Sequence, residues 1–111
     1  MEGVEKAIWK MSRWKIIIED LAQLDLHDAY EWYEKEKTGL GEEFLDSFEV
    51  LISRIERNPL HASSYDATSR RATLNRFPYE VIYLVNDLES EIDIIAISHQ
   101  HRKPDWFKKR R

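Results

Sequence analysis

The chain has no cysteine, only three glycines and three prolines, and no long apolar run. Without cysteine there are no disulfides and no thiolate metal sites, a composition compatible with a reducing compartment. No stretch approaches the roughly 18 to 20 apolar residues that span a bilayer, and the N-terminus lacks the apolar core of a secretion signal. The expectation is a cytoplasmic protein with no membrane partner. There is also no glycine-rich phosphate loop, no nucleophile elbow and no His-Glu-x-x-His pattern, so no cofactor is expected. Any chemistry must come from scattered side chains. Internal repeats and low-complexity segments are absent too, apart from the basic end Lys108 to Arg111.

What is present suits a folded protein: 42% apolar and 34% charged residues in 111, a length that supports one core but not two. Residues 11–111 read as one domain. Residues 1–10 read as an N-terminal extension of uncertain order: Val4, Ala7, Ile8 and Met11 have helical spacing, but a frayed end or a start codon set too early fits as well. The net charge of −4 divides unevenly, with eight Lys/Arg against fourteen Asp/Glu in residues 1–60 and nine against seven in residues 61–111. The basic charge gathers at Arg70, Arg71 and Arg76 and from Arg102 to Arg111. Because exposed charges are screened beyond roughly 8 to 10 Å, such a patch can attract phosphate even on an acidic protein.

The pattern predicts a strand over Arg13 to Ile18, whose three isoleucines suggest burial on both faces and a place inside a sheet. Asp20 is placed to cap a helix running to about Lys37, with Ala22, Leu26, Ala29, Tyr30 and Tyr33 on one stripe. Thr38-Gly39 ends it. A second helix from Leu40 or Glu42 to Arg57 places Phe44, Phe48, Leu51, Ile52 and Ile55 on one face, and Asn58-Pro59 stops it. So short a link predicts an antiparallel helical hairpin. Leu60 to Thr68 reads as a polar connector without periodicity. Ser69 to Leu74, Tyr79 to Asn86 and Glu91 to His99 read as strands joined by hairpin-length links. The predicted fold class is α+β: a strand, a two-helix hairpin and a three-stranded antiparallel meander, with the helices on one face of the sheet.

Arg70, Arg71 and Arg76 flank the first hairpin turn, where guanidinium forks suit phosphate or a partner's carboxylates. Exposed arginines on an edge strand also serve simply to block aggregation. Since side chains alternate along a strand, at most one of Arg70 and Arg71 shares a given site. At the end of the last strand, His99 suits general acid or base work, with Arg102 holding a phosphate oxygen. The alternative is a histidine that locks the C-terminal segment onto the sheet. His99 and His101 have a spacing seen in metal sites, but no third ligand is evident and no metal is expected. Tyr83 falls mid-strand, where core is the usual role, and Tyr79 at the strand start is more open. Trp32 and Tyr33 suit either a binding surface or packing.

Together these segments resemble the RelE/ParE toxin superfamily from Arg13 onward. The resemblance rests on Ala22, Asp25-Leu26, Ala29, Trp32-Tyr33-Glu34, Gly39-Leu40-Gly41, Phe44 and Pro59 in the first half. In the second it rests on Arg70-Arg71, Leu74, Arg76-Phe77-Pro78-Tyr79, Ile82-Tyr83, Ile92, Ile94, Ala96 and the run His99 to Trp106. It implies the toxin of a bacterial type II toxin–antitoxin pair, neutralised by a cognate antitoxin that wraps an initially disordered segment around it. For the target it implies one of two classes. ParE-like members bind and poison DNA gyrase, and the stretches around Tyr79 and His99 look closer to that side. RelE-like members cut messenger RNA on the ribosome by directing a 2′-hydroxyl at the neighbouring phosphate. For that reaction Arg71 or Arg76, together with Arg102, would supply cations and His99 or a tyrosine the proton, with Glu80 a weak candidate base. An inactive paralogue that retains antitoxin binding is a third reading. Arg70, Tyr79, Tyr83, Trp106, Trp32 and Tyr33 are the residues expected to meet target or antitoxin.

Overall fold

The computed structural model describes residues 13–100 and Arg110; the N-terminal extension, His101, Arg102 and Trp106 lie outside the described residues. Among the described residues seven elements follow in order: β1 (Lys15–Ile18), α1 (Asp20–Glu36), α2 (Leu40–Arg57), β2 (Ser63–Ser64), β3 (Ser69–Thr73), β4 (Tyr79–Asn86) and β5 (Glu91–His99). The strands form one sheet in the order β1-β5-β4-β3-β2, with β1 parallel to β5 and the other neighbours antiparallel. Both helices cover one face, giving the expected α+β arrangement. Ala22, Ala29 and Tyr33 of α1 and Phe44, Phe48, Leu51 and Ile55 of α2 pack there against Val81, Tyr83, Ile92, Ile94 and Ile97. Burial of each large apolar side chain contributes roughly 1.5 to 3 kcal/mol, which makes this layer the main source of stability.

Three local features depart from the sequence reading. Among the described residues β1 is an edge strand with β5 as its one neighbouring strand, and its isoleucines are half-buried. Ile16 and Ile18 face the helix-side core while Ile17 points the other way, so β-branching reported strand propensity and not a central position. Asp20 is the first helical residue and not the cap; Glu19 occupies the cap position and makes no side-chain capping bond. Asp20 still places its charge near the positive end of the helix. The connector contains a short strand, β2, that pairs with Arg70 and Arg71 of β3.

The link between the helices is held from α1. Glu34 accepts the backbone N–H of Gly39 and of Gly41, both at 3.0 Å, which satisfies donors left open at the start of α2. Gly39 has φ +91°, a conformation that glycine adopts without the steric cost of a side chain. Gly41 is required for space: a Cβ there would meet the Tyr30 ring at 2.8 Å.

One irregularity in the sheet sets the direction of its last side chains. Tyr83 lies opposite Ile94, but Ile82 lies opposite Ala96, so Ile95 is an extra residue in β5. Ile95 and Ala96 therefore both join Ile82 on the face away from the helices. The bulge returns Ile97, and with it His99, to the helix face.

Candidate functional site

Phe77, in the turn between β3 and β4, is buried against both helices, with ring centroids 4.9 Å from Tyr33 and 5.4 Å from Phe44. Tyr79 packs against the same rings, and His99 opposite it in register lies edge-on at 5.3 Å. Trp32 extends the cluster outward. It meets Tyr33 at 5.1 Å and remains 57% exposed. Beside these rings a cleft of about 600 Å³ opens between α1 and the ends of β4 and β5. Its lining includes Trp32, Tyr33, Tyr79, His99, Asp25 and Asp28, so four residues expected from the sequence meet in one place. Burial pushes the Tyr79 phenol above its ordinary value, and burial with Tyr79 nearby does the same to Tyr33, so both stay protonated hydroxyls at neutral pH.

Asp25 is the polar centre of this cleft wall. One carboxylate oxygen accepts the Ile97 backbone N–H at 3.0 Å. The carboxylate also receives Arg110 on both oxygens, at 2.7 and 3.1 Å, and Arg110 donates further to the Ile95 carbonyl. β1 ends opposite Ile94, so these two side chains satisfy backbone groups of β5 beyond the reach of its neighbouring strand.

The other expected residues lie elsewhere. Arg71 projects from the face away from the helices, over the Tyr65 ring at 5.5 Å. Glu80 shares that face; burial raises its carboxyl and the Arg71 charge partly lowers it. Arg76 is tied to Glu43 of α2 at 2.6 Å. His99, on the helix face, is thus not brought together with Arg71 or Arg76. Arg70 donates to the carbonyls of Leu60 and Ala62 and holds the connector. Tyr83 cannot meet a partner, contrary to the expectation: it is fully buried and its hydroxyl donates to the Pro59 carbonyl at 2.6 Å. Among the described residues no group of three or more His, Cys, Asp or Glu is placed to hold a metal, and no helix is long and apolar enough to cross a membrane.

Sequence reasoning missed two features. The Asp25–Arg110 pair spans 85 residues, a separation that no local pattern reports. The second is a basic cleft lined by Arg54 and Arg57 from the end of α2 and by His61 from the connector.

With this arrangement in view, a family model described as the ParE toxin of the type II toxin–antitoxin system parDE matches residues 16–104. The chain belongs to the ParE toxin family. Membership makes it a type II toxin with a cognate antitoxin as partner. No curated protein matches the chain. Among solved structures, a chain of the chromosomal ParDE system from P. aeruginosa is similar, with a TM-score of 0.68 and 18% identity, over 78% of this chain and 96% of that one. A free-state arginine-to-alanine mutant of the E. coli toxin RelE is similar at a TM-score of 0.53 and 12% identity, over 82% of this chain and 86% of the other. At these identities the likeness is one of fold. Sheet, helical hairpin and strand order thus fit both branches of the superfamily, while the sequence match is to the ParE side.

Proposed function

We propose that this ParE-family toxin acts in the cytoplasm by binding and poisoning DNA gyrase. The observation that carries the reading is the separation of the candidate phosphoryl-transfer groups among the described residues. A nuclease needs its cations and its proton donor within hydrogen-bond reach of one phosphate. Here Arg71 and His99 project from opposite faces of the sheet, and Arg76 is occupied by Glu43. A binding poison needs only an interaction surface, and the match to the ParE family supports that class.

The antitoxin, on this reading, lands on α1 and the adjoining cleft. Leu21, Leu24 and Trp32 are about half exposed along that helix, and Asp28 sits among them. An amphipathic antitoxin segment that buries these side chains and offers a cation to Asp28 fits the surface.

Controlled expression in bacteria tests the target. Gyrase poisoning predicts DNA breaks and arrested division while protein synthesis continues through the first minutes. Immediate loss of protein synthesis with intact chromosomes would overturn it.

A further inference from the structure

A cleft of about 560 Å³ lies between the end of α2, the connector and the β3 edge, and it is cationic in a chain whose net charge is −4. Arg54 and Arg57 reach it from the last turns of α2 and His61 from the connector; β3 closes it at Arg71 to Thr73, the Arg71 guanidinium itself lying on the other face over Tyr65. Arg54, Arg57 and His61 are exposed, and no carboxylate is among the lining residues. Among the described residues, Arg54, Arg57 and His61 make no ion pair.

Arginines near the end of a helix are favoured by its dipole, which by itself accounts for Arg54 and Arg57. It does not account for the connector that faces them. The His61 N–H is bonded to the Asn58 carbonyl, and Arg70 grips the carbonyls on either side of His61, those of Leu60 and Ala62. The buried Tyr83 hydroxyl holds Pro59 from below. A little further on, one Asp66 oxygen accepts the N–H groups of Thr68 and Ser69, which fixes the turn into β3. The connector backbone is therefore held in place, with His61 on the same cleft as the arginines.

We propose that this cleft binds the phosphate backbone of a nucleic-acid duplex. Guanidinium forks match phosphate oxygens, and Asn58, Ser63 and Thr73 in the lining add neutral donors. Tyr83, the one Phe, Tyr or Trp of the lining, is fully buried, which leaves the imidazole of His61 as the single exposed ring there, short of the series of rings on which successive single-stranded bases stack. The site does not depend on the gyrase reading, since duplex binding is a property of the isolated chain.

Fluorescence anisotropy with short labelled duplexes of DNA and of RNA, and with the matching single strands, tests the site on the full-length protein. The wild type is expected to bind a duplex with an affinity that falls as salt rises, and the two duplex arms distinguish DNA from RNA. In Arg54→Ala/Arg57→Ala the log–log salt slope should be shallower by about two, equivalent to about tenfold of the affinity change between roughly 50 and 200 mM salt. Arg76→Ala, outside the cleft, should leave the slope unchanged. If the double variant loses its native circular dichroism, the single variants carry the test, each lowering the slope by about one. Absence of duplex binding, an unchanged slope in folded variants, or tighter binding of single strands through the same arginines would overturn the proposal.

Discussion

Asp25 and Arg110 form a two-pronged ion pair, 2.7 and 3.1 Å long, with both side chains only about 15% exposed. The Asp25 carboxylate also accepts the Ile97 N–H, so its removal strands a buried cation and a backbone donor together. Breaking a buried pair costs about 3 to 5 kcal/mol, and Asp25→Ala should approach that figure in urea unfolding. Arg110→Ala should cost less, because the carboxylate keeps its bond to Ile97. Equal losses in the two variants would contradict this ordering.

Tyr83→Phe should leave the Pro59 carbonyl buried without its donor. The expected loss is about 1 to 3 kcal/mol of stability. Antitoxin affinity, measured by calorimetry at a temperature where the variant is folded, should be unchanged, since this residue is wholly internal. A change in affinity without a change in stability would restore it as a contact residue.

The two glycines of the helical link should fail for different reasons. Gly39→Ala forces a side chain into a left-handed conformation, at about 1 to 2 kcal/mol. Gly41→Ala drives a methyl into the Tyr30 ring and Glu34, an overpacking cost of about 1 to 3 kcal/mol. Trimming the obstacle in Tyr30→Ala/Gly41→Ala should make the effects non-additive, while Tyr30→Ala/Gly39→Ala should be additive. Thermal unfolding of these four variants and of Tyr30→Ala alone distinguishes these outcomes.

Glu80 predicts a pH dependence. Its carboxyl is raised above the ordinary 4.5 in the folded protein, mainly by burial, with Arg71 offsetting part of the rise. Above that ordinary value the unfolded chain binds fewer protons than the folded one, so this group's contribution to stability falls as pH climbs through the raised pKa. Glu80→Gln should therefore have a higher Tm than the wild type at neutral pH, the difference closing as pH drops below 4.5. Arg71→Ala should steepen the wild-type fall. A Glu80→Gln variant that is less stable at neutral pH than at pH 4, relative to wild type, would contradict the assignment.

Much of the fold is legible in the sequence because local and tertiary signals agree. The stripe from Phe44 to Ile55 and the β-branched runs of β4 and β5 meet the core that their periodicities imply. β2 is different: Ser63 and Ser64 become a strand only through pairing with Arg70 and Arg71, and two serines carry no strand signal. The bulge at Ile95 is equally silent, yet it decides that His99 faces the helices. The site divides along the same line. Trp32, Tyr33, Tyr79 and His99 converge because α1 and the ends of β4 and β5 adjoin. Arg54 and Arg57 read as ordinary last-turn charges until the connector brings His61 against them.

The most direct test of the central claim mixes the purified toxin with gyrase and plasmid DNA and, separately, with translating ribosomes and a defined message. Poisoning by binding predicts accumulated DNA breaks, persistence of those breaks in His99→Ala, and an intact message. Cleaved message on the ribosome with undamaged plasmid, abolished in His99→Ala, would contradict it.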